Sequence, residues 1–330
     1  MTKVFEQQGY GLIPQGQLYD WQKTIDFESS HAERPIPDYA KKYLQPTNPR
    51  LMELQGRYDA FDLSATTPLI WSKGYVTPDD IQYFRGDNAY VWQLRGKNMN
   101  ILSYALTTYY AIYIDSMSLY SSLSEDDDFG IFLFTINDRQ ISRDLIDSII
   151  EIYFLEKHLN ISKIKNLNIL DIGSGYGRLA HRMVSALPNI NSYLCTDGVA
   201  VSTFICEFYL KHRGVDDKAV VVPIDEIEFN SDIESVDLAI NIHSFSECQL
   251  DAIDWWVSTI SAKRIKYAFI VPNATIETGN VLATNDGKDF SYIFEKYGYK
   301  MIAKEPKYRD PVVQEYGMNP TYHFLFEYST

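Results

Sequence analysis

Cysteine is scarce in this sequence. Cys195, Cys206 and Cys248 are its three, and no two form a C-x-x-C pair. An odd, scattered set gives no disulfide framework and suits a reducing compartment, so the expected location is the cytoplasm. The six histidines include no H-x-x-x-H or H-E-x-x-H pair, and no metal site is expected. Basic residues are also few, with 30 Lys and Arg against 44 Asp and Glu and a net charge of −14. Without a Lys/Arg run to neutralise phosphates, a nucleic-acid substrate is disfavoured, and the negative surface argues against an anionic membrane. No apolar run approaches the ~18 residues of a membrane span, so no integral membrane segment is expected. The N-terminus Met-Thr-Lys-Val-Phe-Glu-Gln-Gln lacks the apolar core of a signal peptide. Repeats and low-complexity linkers are absent as well.

What the chain does have is 330 residues, 45% of them apolar, enough for one large domain or a core with an accessory region. Its most informative stretch is Asn168-Ile169-Leu170-Asp171-Ile172-Gly173-Ser174-Gly175-Tyr176-Gly177. An apolar run reaches Asp171, glycines follow at every second position, and Leu179, Met183 and Leu187 then mark one helix face. This reads as a buried strand, a tight turn and a helix N-terminus, where backbone can approach a ligand closely. The dinucleotide pattern G-x-G-x-x-G would place its third glycine at position 178, which is Arg178. A carboxylate followed by G-x-G-x-G instead resembles motif I of the class I methyltransferases, which use S-adenosylmethionine (SAM) and release S-adenosylhomocysteine (SAH). The resemblance implies a cofactor site at Asp171, Gly173, Ser174, Gly175, Tyr176 and Gly177. Asp197 ends the next apolar run, twenty residues after Gly177. An acidic residue at that distance takes the ribose hydroxyls in nucleotide-binding α/β units, and a carboxylate accepts from two vicinal donors.

From about residue 167, strand and helix signals alternate. Strands are expected at Leu167–Ile172, Ser192–Asp197, Ala219–Ile224, Val236–Ile242, Tyr267–Val271, Lys300–Lys304 and Tyr322–Tyr328. Helices are expected through Phe204–Leu210, around Trp255–Ile260 and over about 290–297. Continuous apolar runs imply strands covered on both faces, as in a parallel sheet. No helix is expected between the last two strands, which matches the antiparallel edge of the methyltransferase sheet. The expected fold is therefore α/β and Rossmann-like, a seven-stranded mostly parallel sheet with an antiparallel last strand, with a mainly helical N-terminal cap. A strong amphipathic helix covers 142–159, with Ser142 as N-cap and Asn160 as the stop. Segments 79–95 and 98–121 read as helical, and Ser124–Asp128 as an acidic loop. Residues 1–140 are expected to form the cap over an acceptor, and 141–330 the SAM-binding domain.

The chain also resembles a bacterial family of sugar O-methyltransferases associated with surface-polysaccharide synthesis. The residues that carry this include Asn48-Pro49-Arg50-Leu51, Phe84-Arg85-Gly86-Asp87-Asn88-Ala89-Tyr90-Val91-Trp92 and Ser142-Arg143-Asp144-Leu145. They continue with Gly175–Arg182, Thr196-Asp197, Asn241–Glu247, Trp255-Trp256 and Lys304–Tyr308. The resemblance spans most of the chain from about residue 45. It implies SAM use and a sugar or glycan acceptor, and it transfers no assigned catalytic residue.

Methyl transfer to a hydroxyl requires alignment and a group that removes the proton as the bond forms. His243 directly follows the fourth strand, on the carboxyl edge where open α/β sheets bind ligands, and its ordinary pKa near 6.5 suits a base. Rate is then expected to rise with pH through that value. Glu247 either orients His243 or acts itself, and Asp144 is the third candidate, equally readable as a capping charge. His243 reads equally as a loop residue supporting the cofactor site. Asn241 and Asp225 are expected beside the cofactor, Asp225 at the adenine or as a solvated turn. Acceptor contacts are expected from Arg85, Asp87, Asn88, Tyr90, Arg178, Tyr308 and Arg309, with Arg182 a structural ion pair; the Arg85, Asp87 and Asn88 cluster reads equally as a tether of the N-terminal region to the core. The segment Asn241-Ile242-His243-Ser244 lacks the Asn/Asp-Pro-Pro-aromatic pattern of amino-methylating enzymes, which disfavours an amine. The rival readings are a methyltransferase for a phenol, carboxylate or amine, and a non-catalytic SAM-fold subunit. A homo-oligomer is left open.

Overall fold

The computed structural model describes residues 36–61, 65, 69–71, 74–136, 138–273 and 279–329. The part of the expected cap that precedes residue 36 lies outside the described residues. Two short strands, β1 (Phe134–Ile136) and β2 (Arg139–Ile141), form an antiparallel ladder. The main sheet comprises β3 (Leu167–Ile172), β4 (Ile190–Thr196), β5 (Ala219–Val221), β6 (Leu238–Ile242), β7 (Tyr267–Val271), β8 (Tyr299–Pro306) and β9 (Tyr322–Tyr328). Its spatial order is β5-β4-β3-β6-β7-β9-β8. β3, β4, β5, β6 and β7 pair in parallel, and β9 runs antiparallel to both β7 and β8. This is the expected Rossmann-like methyltransferase sheet, with its order reversing at β3, the strand that feeds the glycine turn.

Side chains alternate between the two faces, as strand geometry demands. Leu170, Ile172, Leu194, Ala239, Ile270 and Phe324 pack into one core cluster, with Leu54, Phe204, Phe208, Ile253 and Val257 from the covering helices. Ile169, Tyr193, Cys195, Ile240, Phe269 and Leu325 pack into the other, with Tyr104, Ile149, Ile152, Leu179 and Met183. Residues from 36 to 136 contribute to both clusters alongside the sheet rather than forming a core of their own.

Several expected elements need correction. The 79–95 helix is one short turn, Pro78–Gln82, capped by Thr77 and Asp80, and the chain then runs irregularly to Asn100. The 98–121 helix is two, Ile101–Ile114 and Leu119–Ser122. β5 stops at Val221, before Pro223, which has no N–H for a ladder. A helix does lie between β8 and β9. Pro311–Tyr316 begins with Asp310 accepting from Val312 and Val313 N–H, and proline at its first position.

The Arg143–Leu159 helix is capped as expected, the Ser142 hydroxyl accepting from Leu145 N–H and Asn160 ending it left-handed. Its polar face is not solvated, however. Asp144, Asp147, Ser148 and Glu151 are all buried. A second buried network sits at its start. Arg85 is fully buried and pairs with Glu125 and Asp126, while Arg182 donates to Glu125 at 2.7 Å. Burial favours the neutral form of Glu125, but Arg85 and Arg182 outweigh it and hold the carboxyl below its usual range.

This network generates a stability prediction. Replacing Arg85 with leucine strips Glu125 and Asp126 of their shared cation. Such half-removed buried pairs cost about 3 kcal/mol or more. Urea unfolding of Arg85→Leu should show that loss, and a change under about 1 kcal/mol would mean that Arg182, paired with Glu125, and Arg213, paired with Asp126, suffice.

Candidate functional site

The turn after β3 is built from left-handed glycines. Gly173 has φ +71°, and a β-carbon there would lie 2.0 Å from the Ser244 hydroxyl. Only glycine lets the two loops meet so closely. Gly173 and Ser174 N–H both donate to the Thr196 carbonyl, at 2.8 and 3.1 Å, which locks the turn to the end of β4. Gly175, at φ +57°, faces open space. Its N–H donates to Asp197 at 3.0 Å, and the other oxygen of Asp197 accepts from Val199 N–H at 2.8 Å. Asp197 thus bridges the turn and the next helix while keeping further lone pairs.

These segments line a cavity at the carboxyl edge of the sheet. Its walls include Asp171, Gly173, Ser174, Gly175, Tyr176, Asp197, Ser202 and Trp256. Burial raises the carboxyl groups of both Asp171 and Asp197 to about 7, against the hydrogen bonds from Tyr193 to the first and from backbone N–H groups to the second. A larger chamber of about 1050 Å³ adjoins it, bordered by Tyr75, Trp92, Arg95, Lys97, Arg143, Asp144, Asp147, Asn273, Asn285 and Asn319. Five residues line both spaces: Tyr90, Val91, Arg178, His243 and Glu247.

His243 sits at this junction with φ +68° and ψ −35°, outside the regions favoured by L-residues. Such strain persists only where the surroundings enforce it. Here His243 N–H donates to the Val271 carbonyl at 2.7 Å, and Nδ1 lies 3.2 Å from the Pro272 carbonyl. A carbonyl accepts only, so Nδ1 carries the proton and Nε2 the lone pair. Burial, ahead of repulsion from Arg143, pushes the imidazole down to about 3. The expectation of an ordinary histidine is therefore corrected: the ring is neutral throughout the physiological range, because desolvation outweighs every nearby carboxylate.

Glu247 accepts from the Trp71 indole at 2.5 Å and from the Asn273 amide at 3.2 Å. Burial raises its carboxyl pKa, and those two donors oppose the rise. The Trp71 ring lies 5.2 Å from Tyr90 and 5.3 Å from Tyr75, so an aromatic wall closes this side. Asp144 borders the larger chamber, but its oxygens are engaged by the Tyr176 hydroxyl and, at 3.1 Å, by Gln93. It braces the turn rather than standing free. Arg178 reaches both spaces while its guanidinium is held bidentately by Glu151, at 2.9 and 3.0 Å.

Other expected contacts lie elsewhere. Asp225 is taken by Arg57, at 2.8 and 2.7 Å, and lines neither cavity. Gly177 caps the Arg178–Ala186 helix with its face against Cys206, and Asn241 is buried, tying the Ile172 carbonyl to the 244–245 turn. Arg85 is locked in its ion pairs. Asp87 holds Leu94 N–H and Arg95, and Asn88 shapes the turn at Tyr90. Tyr308 is fully buried, its hydroxyl on the Met318 carbonyl, and Arg309 borders a separate cavity. Asp225, Gly177 and Asn241 were expected at the cofactor, and Arg85, Asp87, Asn88, Tyr308 and Arg309 at the acceptor; none of them lines either cavity. Arg85 and Tyr308 are buried against strong partners, whereas Arg309 is exposed beside the separate cavity.

The lining also includes residues that sequence reasoning passed over: Trp71, Trp92, Arg143, Asp147, Asn273 and Asn285. Asn273 had a usable signal, since it falls two residues past β7 on the ligand-binding edge. Trp71 and Asn285 had none.

No family model matches the chain, and no curated protein matches it. Similar solved structures include the mitomycin 7-O-methyltransferase MmcR, 17% identical, covering 50% of this chain and 49% of its own, with a TM-score of 0.39. The cyclase SpnF is 11% identical over 68% of this chain and 97% of its own, at 0.43. An S-adenosylmethionine-dependent methyltransferase from Clostridium acetobutylicum is 11% identical over 55% and 91%, at 0.40. This chain spans about half the length of the mitomycin enzyme it matches. The fold assignment rests on strand order and register, not on these likenesses.

The state of His243 is directly measurable. Nitrogen-15 NMR should find the Nδ1-protonated neutral tautomer and no titration between about pH 5 and 8. A midpoint near 6.5 would show that its desolvation is lost in solution.

Proposed function

We propose that this protein is a SAM-dependent methyltransferase acting on a hydroxyl of a small acceptor, with a sugar as the favoured acceptor. The observation that carries the reading is the meeting of two spaces at Tyr90, Val91, Arg178, His243 and Glu247. One is bounded by the motif turn and two carboxylates, and the other is open enough for a second substrate. The residues fit SAM: Gly175 faces open space, and Asp197 keeps acceptor capacity for two ribose hydroxyls. When bound, SAM supplies an electrophilic methyl group on a sulfonium. Support for a sugar comes from the polar amides Asn273, Asn285 and Asn319 and the faces of Tyr75 and Trp92, together with the family resemblance. The described residues before 140 are read as the acceptor-side cover, through Tyr75, Tyr90 and the 92–97 segment.

Within this reading Glu247 is the better base. His243 at about 3 is too acidic to draw a proton from a hydroxyl, whereas burial makes the Glu247 carboxylate more basic than usual. The hydroxyl proton moves to a Glu247 oxygen. His243 then serves by position, its Nε2 accepting from the acceptor or from water.

Two outcomes test this. Calorimetry should show that Asp197→Ala weakens SAM and SAH binding by about 1–3 kcal/mol. In the wild type, affinity should fall as the pH drops below about 7, where Asp197 gains its proton. Unchanged affinity in the variant refutes the ribose assignment. Once a turnover screen of nucleotide sugars and small phenols supplies an acceptor, Glu247→Gln should lower turnover by roughly 10²–10⁴-fold with SAH affinity retained. If His243→Ala carries that loss and Glu247→Gln does not, the base is His243.

A further inference from the structure

The charges around the larger chamber fall into two sets. At its floor every charge has a partner. Asp147 lies between Lys307, at 2.7 Å, and Arg143, at 3.2 Å; Arg178 is held by Glu151; Asp144 accepts from Tyr176 and Gln93. At the rim, on segment 92–97, the balance differs. Arg95 is exposed, with Nε on Asp87 at 3.0 Å and Nη2 on the Asn88 carbonyl at 2.9 Å. Lys97 is exposed, and its ammonium has no hydrogen bond or ion pair among the described residues. A chain of net charge −14 thus keeps a cationic edge at the mouth of its substrate chamber.

That edge is fixed in place. Asn319 N–H donates to the Lys97 carbonyl at 3.1 Å, and the Asn98 amide donates to the Glu315 and Gly317 carbonyls at 2.7 and 3.1 Å. Arg143 donates to the Trp92 carbonyl at 2.5 Å, and the Arg95 guanidinium lies 5.2 Å from the half-exposed Trp92 ring. The backbone of the segment and the Arg95 guanidinium are thus preorganised and lose little on binding an anion, while the Lys97 ammonium is carried on a fixed stretch of chain. The Nε/Nη2 edge of Arg95 is already used within the protein, so its open N–H groups lie at the Nη1/Nη2 end. Those N–H groups together with the Lys97 ammonium suit an anion that offers several acceptor oxygens to separate cations, as a phosphoryl group does.

We infer that the acceptor carries a phosphoryl group, held at the chamber rim by Arg95 and Lys97. This rests on the reading of the chamber as the acceptor site, and it places the reacting hydroxyl inward of the phosphate, toward Glu247.

The test is calorimetry of the full chain with UDP, inorganic pyrophosphate and uridine, each with and without saturating SAH. UDP and pyrophosphate should bind whether or not SAH is present, uridine should not, and salt should weaken the binding. The double variant Arg95→Ala/Lys97→Ala should bind both phosphates about tenfold or more weakly, with SAH affinity unchanged. UDP binding that exceeds pyrophosphate and drops in Trp92→Ala identifies a nucleotide-linked acceptor stacked on that ring. Equal affinities identify a simple phosphorylated one. The inference is overturned if neither phosphate binds, if the double variant binds as well as wild type, or if SAH displaces UDP. SAH binding in the same samples reports separately on the methyltransferase reading. Its failure with phosphate binding intact would remove that reading and leave the rim.

Discussion

The polar stripe of the Arg143–Leu159 helix is the constraint to which the site is fastened. Asp144, Asp147, Ser148 and Glu151 recur at helical spacing and are all buried. Three carboxylates placed in the interior demand compensation, because desolvation favours their neutral form and an unpaired charge is costly. The compensation comes from three different places in the chain. Tyr176 and Arg178 arrive from the motif turn, Lys307 from the connection after β8, and Gln93 from the segment that carries the chamber rim. Each pairing satisfies one acid and at the same time locates one wall. The motif turn keeps its position relative to the rim because both bond to the same few turns of helix.

The geometry at the junction follows from that fastening. With its floor neutralised internally, the chamber gives the groups at its centre little solvent and few free charges. A histidine there loses its proton and a carboxylate holds on to one more tightly, and both effects have the same physical origin. Desolvation therefore reverses the order of basicity read from side-chain chemistry alone. The strained backbone at His243 belongs to this arrangement, since its N–H bonded to the Val271 carbonyl and its ring Nδ1 bonded to the Pro272 carbonyl hold the ring where a relaxed loop would not.

The sequence made the sheet legible because burial on both faces writes continuous apolar runs. Leu167–Ile172, Tyr267–Val271 and Tyr322–Tyr328 were read to the residue. The motif glycines and Asp197 were legible because positive φ and close approach restrict residue choice. The irregular stretch from Tyr83 to Asn100 was not, since its shape comes from specific polar pairings with no helical or strand period: Arg85 to the distant Glu125, Asp87 to Arg95 within the stretch, and Arg143 to the Trp92 carbonyl. Polar residues clustered in sequence looked like a binding surface there, and half of them are internal braces. Pro311–Tyr316 was missed for a different reason. Its Asp-Pro start was visible, but six residues leave too little periodicity to register against a strand on either side.

A sheet of this order hosts many chemistries, so the fold narrows the question without answering it. What narrows it further is the pairing of two spaces with unlike walls. One is lined by glycine backbone and two carboxylates poised near neutrality, features that suit a ligand rich in hydroxyl and cationic groups. The other is lined by amides and aromatic faces, with cations kept at its entrance. Among the described residues, the two spaces meet at Tyr90, Val91, Arg178, His243 and Glu247. Of these, Arg178 is held by Glu151 and His243 is neutral, and in the proposed reaction it is Glu247 that changes its protonation state. The indole and amide that hold it orient its oxygens, so its position is fixed before any substrate arrives.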